Sequence, residues 1–207
     1  MPVAETPAHA APRLDSVTPA ADAADDGSGA QPRVAVVIAT YNRFDVLEQC
    51  LRDVSVQDYD AGNLDVIVVD NGSPDGTPDR LRERWGPDDE IINNSTDAAA
   101  PAFVPAAREG SGRARAHPFA SLTLVRNGAN LAGSGAFITG MIFARQRALT
   151  HGAKQTAADA AAGAARPARF LWLCDDDARF AHDTLRRMVD TARADPAIGV
   201  VGARSVD

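Results

Sequence analysis

Three adjacent carboxylates, Asp175-Asp176-Asp177, follow directly on the apolar run Phe170-Leu171-Trp172-Leu173-Cys174. In extended backbone successive side chains alternate, so Asp175 and Asp177 point the same way, about 7 Å apart, and Asp176 points oppositely. Oxygen-only ligation suits a hard cation such as Mn²⁺ or Mg²⁺, which keeps waters and fills its shell with substrate phosphate oxygens. The plainer alternative is a solvated acidic turn. Against it, the triplet leaves a core-forming run rather than a surface loop, and carboxylates this close need a counter-charge or full hydration.

Three further polar clusters end apolar runs. Asp70-Asn71-Gly72-Ser73 follows Val66–Val69, where Asp70 either shapes an Asx-type turn or accepts an N–H from a flat ligand such as a nucleobase. Thr40-Tyr41-Asn42-Arg43 follows Val34–Ala39. Taken alone, Thr40 or Asn42 reads as a helix cap; the alternative is that backbone groups there hold a base and ribose while Arg43 faces phosphate. In the third, Asn127 to Gly135, the residues Asn130, Gly133, Ser134 and Gly135 run into a helix, whose free N–H groups and dipole can receive an anion. A loop needing positive φ explains the same residues. The stretch is not GxGxxG, because position 138 is isoleucine, nor a P-loop, because Met141 stands in the lysine position.

The elements behind these clusters read as alternating strands and helices. Val34–Ala39 is continuously apolar, as a strand buried on both faces requires, and Phe44, Leu47, Leu51 and Val54 then recur at helical spacing. Asp65–Val69 is a second strand. Thr77 and Pro78 read as cap and first position of a helix that ends near Trp85 and Gly86. Ser121–Val125 is the third strand, with a helix over 135–150; Phe170–Cys174 is the fourth, followed by a helix carrying Leu185, Met188, Val189 and Ala192 and a last strand at Ile198–Val201. This order predicts an α/β fold with a mostly parallel sheet and flanking helices. In an open parallel sheet the carboxyl ends share one edge, where ligands bind.

Composition bounds the rest. Of 207 residues 45% are hydrophobic, but much of that is alanine, and aromatics are 5%. Residues 1–31 read as a disordered tail ahead of one domain at 32–207, with low-complexity insertions at 95–117 and 152–168. The net charge of −7 and the absence of a basic stripe argue against nucleic acid, and Arg108, Arg113 and Arg115 sit in a Gly/Ser/Ala-rich loop that reads as solvated. Cys50 and Cys174 have no metal-type spacing and read as small core residues. No basic and apolar leader precedes the domain, and Val34–Ala39 is too short to cross a bilayer, so a cytoplasmic location without a transmembrane segment is expected.

Together, Ala39-Thr40-Tyr41-Asn42-Arg43, Val68-Val69-Asp70-Asn71-Gly72-Ser73 and the aspartate triplet resemble the GT-A-fold glycosyltransferases of family 2, over residues 33–207. Asn130–Phe137 with Trp172–Asp177 looks closest to the galactofuranosyltransferase-like and rhamnosyltransferase-like branch, although that branch has glycine where Ala132 and Ala136 stand. The resemblance implies a Rossmann-like nucleotide-diphospho-sugar fold and an inverting transfer from a nucleotide-sugar donor, commonly a UDP-sugar, to a hydroxyl acceptor. A glycan or lipid-linked acceptor, a role in cell-envelope polysaccharide synthesis and work at the inner face of the membrane go with it. By the same resemblance, Thr40, Tyr41, Asn42 and Arg43 line the nucleotide pocket, Asp70 meets the base, and Asn71 and Gly72 belong to the nucleotide-sugar site. Asn130, Gly133, Ser134 and Gly135 lie near the diphosphate and sugar, Asp175 and Asp177 hold the cation, and Asp176 helps fix the sugar or ribose. The general base is expected beyond Asp207, which makes the chain read as the nucleotide-sugar-binding half of a longer enzyme. Two alternatives stand beside this: a nucleotide-sugar-binding piece without turnover, and a Mg-dependent phosphatase or receiver-like protein with Asp70 as nucleophile. The latter needs a lysine at a strand end, and the sole lysine, Lys154, lies in an insertion.

Overall fold

The computed structural model describes residues 31–107, 116–154 and 168–203. The expected tail through residue 30, the Arg108/Arg113/Arg115 cluster and most of the second insertion lie outside the described residues. Strands β1 (Val34–Thr40), β2 (Leu64–Asp70), β3 (Asp89–Asn93), β4 (Phe103–Pro105), β5 (Ser121–Asn127) and β6 (Phe170–Asp175) form one sheet in the order β4-β3-β5-β2-β1-β6. All neighbours pair in parallel except β3 with β4. Helices α1 (Phe44–Ser55), α2 (Thr77–Trp85), α3 (Ala132–Lys154) and α4 (Thr184–Ala194) flank it.

Alternation along the strands divides the core in two. Val34, Val36 and Ile38 of β1, with Leu64, Val66 and Val68 of β2, meet Phe44, Leu47, Leu51, Leu81, Trp85, Leu185 and Val189 from α1, α2 and α4. Ala35, Val37, Ile67, Val69 and Val125 face Ala136 and Ala144 of α3 instead. Helices therefore cover both faces, which is why the central strands can be apolar at every position. Gly140 lets α3 lie close: a Cβ there would come within 2.4 Å of Val37 Cγ1 and 3.0 Å of Val69 Cγ2. The first core ends in a tether between α1 and α4, where Leu185 N–H donates to Gln57 Oε1 and Gln57 Nε2 donates to Ala181 O.

Several expectations change. Residues 89–93 pair beside β5 as β3, and 103–105, inside the segment expected to be a loop, add β4 antiparallel to it. Neither has the continuous apolar run of a central strand. The strand expected at Ile198–Val201 is absent: those residues have no ladder partner and Val200 is 91% exposed. Four apolar residues make a strand only where a neighbour can satisfy their backbone groups. Helix α3 starts at Ala132 rather than 135, so Gly133, Ser134 and Gly135 form its first turn. Gly76 rather than Thr77 is the cap residue of α2.

Candidate donor-binding edge

Register brings the clusters to one edge. Thr40 pairs with Asp70 across β1 and β2, Asp70 with Arg126 across β2 and β5, and Ala39 with Asp175 across β1 and β6. Segments more than a hundred residues apart thus become neighbours by strand pairing alone.

Two rows of side chains cross that edge, one above each face of the sheet. Above the α1/α2/α4 face, one step beyond Ile38, Val68, Leu124 and Cys174, stand Thr40, Asp70, Arg126 and Asp176. Thr40 Oγ1 donates to Asp176 Oδ2 at 2.7 Å, and Arg43 Nη2 donates to Asp176 Oδ1 at 2.5 Å. Asp176 is 1% exposed. Burial raises its carboxyl pKa, as do Asp177 and Asp175, while the Thr40 bond and the Arg43 charge oppose the rise. Arg43 also reaches Asp177 Oδ2 at 3.0 Å, so one half-exposed guanidinium supplies the counter-charge that the acidic triplet demands.

Asp70 is as buried as Asp176 but differently served. Its Oδ2 accepts the Ser73 N–H at 3.2 Å, making the Asx-type turn, while Oδ1 is buried with no hydrogen-bond partner. Burial pushes its pKa up, against Ser73 and the charge of Arg126. Ser73 ties the two loops together, since its Oγ accepts the Asn42 N–H at 2.9 Å. Thr40 and Asn42 do not cap α1: the cap residue is Arg43, without a side-chain cap bond. Thr40 is the last residue of β1, three places too early, and its hydroxyl serves Asp176. Asn42 takes φ +56° to turn the chain, and Tyr41 beside it is exposed.

Above the α3 face the row is made of amides. Asn93 Nδ2 donates to Asn127 Oδ1 at 2.9 Å, and Asn127 Nδ2 donates to Asn71 Oδ1 at 3.0 Å. Asn71 Oδ1 also accepts the Leu131 N–H at 3.0 Å, and its Nδ2 donates to Asn130 Oδ1 at 2.9 Å and Ala132 O at 3.0 Å. Asn130 Oδ1 in turn accepts the Ala132 N–H at 2.8 Å, at the start of α3. Asn71 and Asn130, expected to touch the nucleotide, thus anchor the α3 entry to the sheet. Gly72 (φ +81°) completes the anchor, because a Cβ there would come within 3.0 Å of Ala129 C. Gly133 and Ser134 stand exposed on the first turn of α3, and Gly135 is buried.

Asp175 and Asp177 are exposed and Asp176 is buried, the alternation that the strand period demands. No three His, Cys, Asp or Glu side chains converge as a ready metal cage among the described residues. Two exposed carboxylates nevertheless fit a hard cation that draws its remaining ligands from water and phosphate. Arg43 would compete with that cation for Asp177. The two buried thiols lie beneath this end, with Cys50 Sγ 3.7 Å from Asp175 O. Burial pushes Cys50 up to about 12 and Cys174 well above its usual value, so neither is a nucleophile near neutral pH.

Sequence reading passed over Arg126, Asn93 and the hydroxyl of Ser73. Arg126 carries the signal that picked out Asp70, a charged residue ending an apolar strand, but its partner became visible only through register.

Known proteins resemble this chain over part of its length. Residues 35–113 match the family described as Glycosyl transferase family 2. Glycosyltransferase AglE of Haloferax volcanii is 42% identical over 52 residues, 25% of this chain and 17% of that protein. An N-acetylglucosaminyltransferase of Sinorhizobium fredii is 46% identical over 61 residues, 29% of this chain and 14% of that protein. The solved mannosyltransferase PcManGT of Pyrobaculum calidifontis, in complex with GDP-Man and Mn²⁺, superposes with TM-score 0.52 at 26% identity, over 83% of this chain and 35% of that one. The chain therefore spans well under half the length of each. No described helix is long and apolar enough to cross a membrane. Over residues 35–113 the chain is thus similar to the family 2 glycosyltransferases, and its sheet and flanking helices form a GT-A-like fold.

Proposed function

We propose that this edge binds a nucleoside-diphosphate sugar, and that the chain serves a metal-assisted, inverting transfer of that sugar to a hydroxyl acceptor. One observation carries the reading. A buried carboxylate with an unpartnered oxygen on β2 and an exposed pair of carboxylates at the end of β6 flank the same strand, β1.

Asp70 Oδ1 accepts an N–H of the base. Thr40, Tyr41 and Asn42 border the nucleoside, and Arg43 exchanges Asp177 for a phosphate oxygen when the diphosphate arrives. Gly133, Ser134 and Gly135, on the first turn of α3, offer N–H groups to the diphosphate or sugar. Asp176, held by Thr40 and Arg43, orients a hydroxyl of the sugar or ribose. Mn²⁺ or Mg²⁺ held by Asp175 and Asp177 supplies charge neutralisation on the leaving nucleoside diphosphate. No described carboxylate is assigned as the base that deprotonates the acceptor. The proposed donor is a UDP-sugar, the proposed acceptor a glycan or lipid-linked sugar, and the proposed place the cytoplasmic face of the membrane in envelope polysaccharide synthesis.

Calorimetric titration of UDP with and without MnCl₂ tests the donor site. The reading expects binding that Mn²⁺ strengthens, with the Mn²⁺ increment lost in Asp177→Asn. If UDP and GDP at millimolar levels leave no heat in the presence of Mn²⁺, the donor-site reading is wrong.

A further inference from the structure

The two outer strands of the sheet are finished differently. On one side β4 is three residues long and stops at Pro105, which has no N–H to offer a further strand. On the other side β6 runs for six residues, Phe170-Leu171-Trp172-Leu173-Cys174-Asp175, with neither proline nor charge before its last position. Among the described residues no strand pairs with its outer side. The ladder shows which groups are left over. Asn71 N–H donates to Thr40 O, so the even residues of β1 bond toward β2 and the odd ones toward β6. Phe170 N–H accordingly reaches Arg33 O, at 3.5 Å, and Phe170, Trp172 and Cys174 direct their backbone groups to β1. Leu171 and Leu173 therefore aim their N–H and C=O outward. Their side chains stand on the α3 face, in register with Ala35 and Val37, but α3 lies over β1 and β2 and leaves them 44% and 43% exposed. Arg169 is exposed just before the strand, and Asp175 and Asp177 are exposed at its end, so this edge starts positive and finishes negative.

We propose that the outer edge of β6 pairs with β6 of a second copy of this chain, antiparallel, about a twofold axis beside Trp172. The pairing stands whether or not the carboxyl edge binds a nucleotide sugar. Setting Leu171 opposite Leu173 of the second copy gathers four leucines on one face and lets those residues exchange their outward N–H and C=O groups. The same register sets Arg169 of each copy opposite Asp175 of the other. A parallel mate would place acidic end beside acidic end, and a slip of one residue would set each leucine against a residue of the opposite face. Such self-complementarity, in hydrogen bonds, apolar surface and charge at once, is what a twofold interface requires. Asp175 has two carboxylate oxygens, so one can face Arg169 of the second copy while the other remains for a cation.

Sedimentation of the full chain over a concentration series tests the pairing, and a reversible monomer–dimer equilibrium is the expected result. Leu171→Lys changes an exposed side chain whose backbone bonds no other strand of the chain, and it is expected to weaken association at least about tenfold. Arg169→Glu, which sets like charges across the axis, is expected to weaken it about fivefold, less so in high salt. Amide hydrogen exchange on the unaltered protein gives a reading that no variant's folding can obscure. The Leu171 and Leu173 amides should exchange faster on dilution, while the Trp172 amide, bonded to β1, should stay protected. A monomer at every concentration overturns the proposal, whatever else covers the edge. So does a dimer that Leu171→Lys leaves intact, or one in which dilution leaves the Leu171 and Leu173 amides unchanged. A dimer broken by Leu171→Lys but indifferent to Arg169→Glu overturns the antiparallel register.

Discussion

The two rows that cross the carboxyl edge of the sheet contain similar numbers of polar groups and use them in opposite ways. On the α3 face, Asn93, Asn127, Asn71 and Asn130 pass hydrogen bonds from one to the next, and Asn71 uses both ends of its amide twice. On the other face, Thr40 and Asp176 satisfy each other, but Asp70 and Arg126 each keep an atom unpaired. An amide carries donor and acceptor on one side chain and can close a chain with its neighbours; a carboxylate and a guanidinium cannot do so unless they touch. One row is therefore framework. The other is an incomplete set of contacts, and its missing members define what can bind.

Breaking the framework should cost the most. Asn71→Ala removes four side-chain hydrogen bonds at a buried position and strands Asn127 Nδ2, the Leu131 N–H and one lone pair of Ala132 O. We expect a loss of about 3 kcal/mol in urea unfolding, with an unchanged m-value. A loss below about 1 kcal/mol would mean that water replaces the amide chain and that this row is not framework.

The open row should answer the other way. Asp70→Asn keeps an oxygen for the Ser73 N–H but removes a buried charge, so stability should hold or rise by up to about 1 kcal/mol. Nucleoside-diphosphate affinity should fall about tenfold. A variant that loses both stability and binding would place Asp70 with the framework.

The smallest effect is in pH, and it sets Asp70 against a second buried carboxylate of the same strand. Asp65 is held by the Arg33 guanidinium and the Ser121 hydroxyl. Burial raises its pKa, but these partners outweigh burial and leave it below the usual carboxylate range. A lowered native pKa means stability that is full above the unfolded value, about 3.9, and is lost as pH falls through the native one. Asp70 has the opposite sign: its raised native pKa is a penalty present near neutrality and relieved as pH falls toward the unfolded value. Unfolding measured from pH 7 downward should therefore show the deficit of Asp65→Asn shrinking with acid, and any gain of Asp70→Asn shrinking as well. A pH-independent difference in either variant would contradict its assigned environment.

How much of this was legible in the sequence depends on whether the signal was local. The central strands announced themselves through continuous apolar runs, and each run's end was marked by the first residue that cannot be buried without a partner: Thr40, Asp70, Asp175. Helix α1 declared its buried face through Phe44, Leu47, Leu51 and Val54. By contrast, β3 and β4 have short, mixed sequences that become strands because β5 offers them a ladder, and Ile198–Val201 is a better strand by composition that has none.

From residues alone came the α/β character, the two-sided burial of the central sheet and the gathering of acidic and glycine-bearing turns at one edge. These depend on periodicity and on the exclusion of charge from the core, which each segment carries within itself. Only the tertiary structure decided that Thr40 serves Asp176 rather than capping α1, that Asn71 closes a framework, and that Asp70 stands beside Arg126 with both left wanting a partner. Such pairings are set by register between strands distant in sequence. A hydrogen bond requires two atoms within about 3 Å, and no single segment specifies where its neighbour's atoms will be.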